Sequence, residues 1–158
     1  MTRTQSIILY STLLALGAAT AIVALRTPPA AAEDTVITVY KSPTCGCCAA
    51  WVDYMREAGF NVTVEDVTDL HAVKARHGVP RQLESCHTAI AEGYVVEGHV
   101  PADLVTRLLA ERPADAWGIA VPGMPAGSPG MEQGDRREPY DVILYNARTG
   151  GATIYASR

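Results

Sequence analysis

Thr35-Val36-Ile37-Thr38-Val39-Tyr40-Lys41-Ser42-Pro43-Thr44-Cys45-Gly46-Cys47-Cys48 is the stretch on which the fold turns. Its first six residues are β-branched or aromatic and read as a strand. Lys41 to Thr44 read as a loop. From Cys45 to Ala58 the period changes: Cys48, Trp51, Val52 and Met55 fall at i, i+3, i+4 and i+7, and Gly59 stops the helix. Three thiols therefore sit where a strand gives way to a helix.

Beyond this stretch, residues 61–67 read as a second strand and 69–77 as a short polar helix closed by Gly78. Residues 86–91, the Glu92-Gly93 turn and 94–97 read as a hairpin. Residues 101–112 form a helix with Pro in its first turn and Leu104, Val105, Leu108 and Leu109 on one face. The order β-α-β-α-β-β-α predicts an α/β domain on a thioredoxin-like plan, a mixed sheet flanked by helices. Residues 113–139 are rich in Gly and Pro and lack periodicity, so they read as a long functional loop. Residues 140–146 and 152–156, joined through Arg148-Thr149-Gly150-Gly151, read as an added C-terminal β-hairpin that tethers this loop at both ends. No internal repeat is visible, which excludes solenoids and propellers.

Ahead of this body, residues 1–32 carry Arg3 and Arg26 but no acid, with an uncharged, mostly apolar run from Ile7 to Leu25. Pro28-Pro29 and Ala30-Ala31-Ala32 follow, the order of a secretory signal with cleavage after Ala32. An uncleaved anchor is the alternative, since the run approaches bilayer-spanning length. Both readings put residues 33–158 outside the cytoplasm, with any membrane attachment confined to the N-terminal segment. The whole chain has 158 residues, 13 Lys and Arg, 17 Asp and Glu, and a net charge of −4. Without Arg3 and Arg26 the body carries eleven basic and 17 acidic residues, a net −6. An acidic body with no basic cluster beyond Arg136-Arg137 excludes nucleic acid as a partner.

Four cysteines, three within Cys45-Gly46-Cys47-Cys48, carry the chemistry. A helix amino terminus favours thiolate, which both disulfide exchange and metal binding require. Three readings compete. Two structural disulfides suit an exported chain, but a Cys47–Cys48 bridge would be strained and at most one bridge could join distant segments. A thiol oxidoreductase would use Cys45 as nucleophile and Cys48 as resolving thiol, leaving Cys47 and Cys86 unexplained. A soft-metal site uses all four. Thiolates select Cu(I), zinc or iron–sulfur centres; C-x-C-C is too crowded for one simple zinc tetrahedron, whereas bridging thiolates around several Cu(I) ions accommodate it. The metal reading is preferred.

Other candidate ligands lean the same way. Pro122-Gly123-Met124 and Pro129-Gly130-Met131 repeat a triplet within the long loop. Thioethers suit Cu(I), although a loop Met also serves to plug a core gap. His87 adjoins Cys86, but strand alternation turns neighbours to opposite faces unless the strand has not yet begun. His99 precedes a helix and is a weaker candidate. His71 and His77 read as surface residues, and Trp51 as part of the core stripe.

Cys45-Gly46-Cys47-Cys48 with Trp51, Gly78-Val79-Pro80, Ser85-Cys86-His87-Thr88, Gly93-Tyr94, Glu97-Gly98-His99-Val100-Pro101 and residues 120–131 occur in the order seen in a known family. From about Val36 to Tyr155 the chain resembles the CopG-type periplasmic copper-resistance proteins. The resemblance implies a thioredoxin-like fold whose cysteines bind copper as a thiolate-bridged, multinuclear Cu(I) cluster. It also implies association with periplasmic copper-efflux components and a role in copper redox exchange. Carried over by position, Cys45, Cys47, Cys48 and Cys86 are the core ligands, with Met124, Met131, His87 and His99 as outer candidates. Ordinary thioredoxins place a cis-proline before the third strand. Thr88 stands there in this chain, which leaves room for metal and weakens the case for general disulfide exchange.

Overall fold

The computed structural model describes residues 35–158; the signal segment read at 1–32 lies outside them. Strand β1 (Val36–Lys41) leads into helix α1 (Gly46–Glu57), then β2 (Asn61–Asp66), α2 (Leu70–Arg76) and a single 3-10 turn at Arg81–Leu83. Strands β3 (His87–Ala91) and β4 (Tyr94–Glu97) form the hairpin; α3 (Ala102–Glu111), β5 (Gly118–Ala120), β6 (Asp141–Tyr145) and β7 (Ala152–Ser157) complete the chain. One mixed sheet of seven strands runs in the order β2-β1-β3-β4-β5-β6-β7. β2 lies parallel to β1 and β5 parallel to β4; the remaining pairs are antiparallel.

The expected β-α-β-α-β-β-α order needs one correction. The segment 113–139 is not wholly loop, because Gly118–Ala120 forms β5. Three residues are too few to show a period of two. Yet this strand carries the C-terminal hairpin, since β6 pairs with it antiparallel. The hairpin is thus an extension of the main sheet.

Strand alternation divides the core into two layers. Ile37, Val39, Ala89, Ala91, Val96 and Ile119 face one side and pack against Trp51, Val52 and Met55 of α1 and Leu104, Val105 and Leu108 of α3. The fully buried indole of Trp51 donates Nε1–H to the Val100 carbonyl at 2.9 Å, so this large side chain leaves no polar atom unsatisfied. Val95, Ala120 and Tyr145 face the other side, beneath Val79 and Leu83.

The sheet also has two distinct ends. Lys41, His87, Glu97 and Ala120 lie at one end, together with the start of α1 and the loop after β5. At the other end the chain enters β1 beside the β3–β4 turn, where the Thr35 hydroxyl donates to Glu92 Oε1 at 3.1 Å. Arg112, left-handed just past α3, pairs with Glu92 there. Among the described residues no helix is long and apolar enough to cross a membrane.

Candidate metal centre

Cys45 is the residue before α1 and caps it without a side-chain hydrogen bond. Cys47 and Cys48 occupy the first turn, and the 3.6-residue period sends them different ways: Cys48 is buried with the Trp51 stripe, whereas Cys45 and Cys47 are half-buried. A disulfide joins Cys45 to Cys48, and Cys47 and Cys86 are free thiols. Cys47 Sγ lies 3.5 Å from Cys45 Sγ and 4.0 Å from Cys86 Sγ. All four sulfurs fall within 4.8 Å of one another.

Cys86 reaches this cluster from the segment just ahead of β3. Because β3 begins at His87, alternation does not yet apply, and Cys86 and His87 meet: His87 Nδ1 is 3.3 Å from Cys86 Sγ. His99 Nε2 lies 2.8 Å from the same sulfur. His99, just ahead of α3, is fully buried, and its Nδ1–H donates to the Pro129 carbonyl at 2.8 Å. That bond fixes the tautomer and turns the lone pair of Nε2 toward Cys86, as in the outer shell of many metal sites. His87 is also fully buried, its ring 4.5 Å from that of Trp51, and its Nε2 has no hydrogen-bond partner. Cys86, His87 and His99 make a second group of donor atoms within 4.8 Å, sharing Cys86 with the four-thiol group.

Burial, reinforced by the neighbouring Cys47, pushes the Cys86 thiol up to about 12. Without metal it is therefore a neutral thiol, able to donate S–H to His99. Burial likewise holds the His87 imidazole well below its ordinary value, with His99 and Lys74 adding to the effect. His99 is lowered by burial and held up in part by its bond to Pro129. Both rings are thus neutral at pH 7, the form that binds a metal ion.

The Gly/Pro-rich segment presses onto this end of the molecule. A Cβ at Gly130, whose φ is +80°, would come within 2.8 Å of the Cys47 carbonyl and of the Trp51 amide nitrogen. Ser85, next to Cys86, donates its hydroxyl to the Gly123 carbonyl. The two Pro-Gly-Met triplets therefore flank the cluster through their glycines. Met124 is 53% exposed and Met131 half-buried. His71 lies on the surface, as expected, 3.1 Å from Glu84. Sequence reasoning missed two features: the Pro129 carbonyl that orients His99, and a buried charged network behind Cys86. Neither has a local signal, since a carbonyl has no sequence identity and Lys74 reads as one more polar residue on a polar helix.

Comparison with known proteins places the chain in a family. The family model described as "Protein of unknown function, DUF411" matches residues 83–131, from the 3-10 turn through the second Pro-Gly-Met triplet. No curated relative matches the chain. The solved structure named "Copper resistance protein copG- Form 2" is 45% identical, with a TM-score of 0.74, covering 78% of this chain and 98% of that one. "Copper resistance protein copG- Form 1" is also 45% identical, with a TM-score of 0.73, covering 78% of this chain and 96% of that one. A likeness of that extent and identity makes this chain a member of the CopG family of copper resistance proteins.

Proposed function

We propose that the protein is exported to the periplasm and there holds Cu(I) in a thiolate-bridged cluster on a thioredoxin-like domain, as part of copper tolerance. The observation that carries this reading is the pair of donor groups that share Cys86, one all sulfur and one of mixed sulfur and nitrogen. Soft thiolates select Cu(I), and crowded sulfurs suit bridging better than a single tetrahedron. Cys45, Cys47, Cys48 and Cys86 are the core ligands, His99 and His87 supply nitrogen, and Met124 and Met131 stand by as thioethers on the covering loop. Copper is the cargo, passed onward to efflux components. The Cys45–Cys48 disulfide must be reduced by two electrons before all four sulfurs can ligate.

That disulfide also favours a second reading, a copper or thiol oxidoreductase. Two Cu(I) ions giving one electron each would become Cu(II) while the Cys45–Cys48 bond opens to two thiols with uptake of two protons. An anaerobic Cu(I) titration of residues 33–158 against a competing chelator tests the first reading, run on reduced protein. Several ions retained per chain are expected; none retained would overturn it. Repeating the titration on the oxidised protein separates the two readings, because Cu(II) and new thiols appear in stoichiometric amounts only if the redox step operates.

A further inference from the structure

On the face of the sheet away from α1, a charged network lies buried where the thiol chemistry does not use it. Lys74 is 2% exposed, and Glu97 and Thr88 are fully buried. Lys74 Nζ donates to Glu97 Oε1 and, at 3.0 Å, to Thr88 Oγ1. The Thr88 hydroxyl donates to Glu97 Oε2 at 2.7 Å, and the Ser85 backbone N–H donates to Glu97 Oε1 at 2.7 Å. Stability alone is a poor reason for such a pair, because taking two charges out of water costs about as much as their attraction returns. Well-packed apolar residues of similar volume generally stabilise a core as well or better.

What the network does do is geometric. Ser85 and Thr88 straddle Cys86 and His87, and one carboxylate holds both. The residue after Glu97, Gly98, donates its N–H to the His87 carbonyl at 3.0 Å. A Cβ at Gly98 would run into the Ser85 side chain and the Val121 carbonyl. One residue further, His99 presents Nε2 to Cys86. We propose that Glu97, Lys74 and Thr88 are positioning residues, a buried clamp that locks residues 85–88 against 97–99 and so holds Cys86 Sγ between His99 Nε2 and Cys47 Sγ. None of the three belongs to either donor group. The consequence for copper rests on the Cu(I)-holding reading, whereas the geometry of Cys86 can be read without metal.

The test uses Thr88→Val, which keeps the shape and deletes the hydroxyl, its conservative counterpart Thr88→Ser, and the double variant Lys74→Met with Glu97→Leu, which removes both charges together. Three quantities are compared in residues 33–158: thermal stability, the state of Cys86 in metal-free reduced protein, and Cu(I) retention against a chelator. Cys86 is followed by the His99 Nε2 nitrogen shift and by the rate at which iodoacetamide alkylates it. Thr88→Ser should behave as wild type. Thr88→Val and the double variant should stay folded but melt somewhat lower, since each leaves buried polar partners short of a hydrogen bond. Both should lose the hydrogen-bond signature at His99 and alkylate faster at Cys86. Their Cu(I) affinity should fall by about tenfold or more, the usual effect of removing outer-shell support. An unchanged His99 shift and an unchanged alkylation rate in folded Thr88→Val would overturn the clamp, whatever copper does. If wild type itself retains no Cu(I), the copper reading fails, and the metal-free measurements still decide the clamp.

Discussion

Cys86 stands at the meeting point of two groups of donor atoms, and the thiol lies half-buried between Cys47 Sγ and His99 Nε2. Its proton is held tightly by burial, so binding a soft metal must displace it. Copper loading at pH 7.5 is therefore expected to release a proton from Cys86, measurable by loading in weakly buffered solution with a pH indicator. Cys86→Ser should release fewer protons and retain far less Cu(I) while still folding, because the residue is not part of the apolar core; unchanged retention would remove Cys86 from the ligand set. His99→Ala tests the nitrogen donor. It deletes Nε2 and frees the Pro129 carbonyl, so weaker Cu(I) retention is expected, by about 10- to 100-fold.

At the level of elements, helix α1 and the loop after β5 close on each other across Gly130. Gly130→Ala would place a methyl group against the Cys47 carbonyl and the Trp51 amide in a left-handed conformation. The loop should lift, at a cost of about 1–3 kcal/mol, with faster proteolysis between residues 121 and 139 and faster alkylation of Cys47. Leu108→Ala on α3 would open a cavity in the main core and cost about 2–5 kcal/mol, readable by urea denaturation, without altering the thiols directly. The elements easiest to read in the sequence were those with a clear period: Trp51, Val52 and Met55 on α1 and Leu104, Val105, Leu108 and Leu109 on α3 are all buried. The convergence of Cys86 on the helix thiols was legible as well, because a strand order that places β3 beside β1 brings its start to the start of α1. β5 was illegible for want of length. Lys74 was illegible for another reason: its partners Glu97 and Thr88 are 23 and 14 residues away, and nothing local distinguishes a buried lysine from a solvated one.

The whole molecule carries a pH dependence from the neutral imidazole of His87. An unfolded histidine takes up a proton below about pH 6.5, while the buried one stays neutral, so the unfolded state binds more protons and stability falls as pH falls. Over the window in which only the unfolded form is charged, the slope approaches about 1.4 kcal/mol per pH unit. His87→Phe keeps a ring against Trp51 and removes the titration; urea melts of the metal-free protein at pH 7.5 and 5.0 should show a smaller difference than wild type. The two ends of the sheet have a further consequence. Thr35 enters at the end opposite the thiols, and the six residues of β1 separate the two by about 20 Å. Arg158, by contrast, hydrogen-bonds Tyr140 and pairs with Asp103 on the thiol side. A protein fixed to a solid support through residues ahead of Thr35 would turn its sulfurs outward to whatever delivers the metal, whereas fixing it through Arg158 would turn the same sulfurs toward the support and slow their capture of copper from solution.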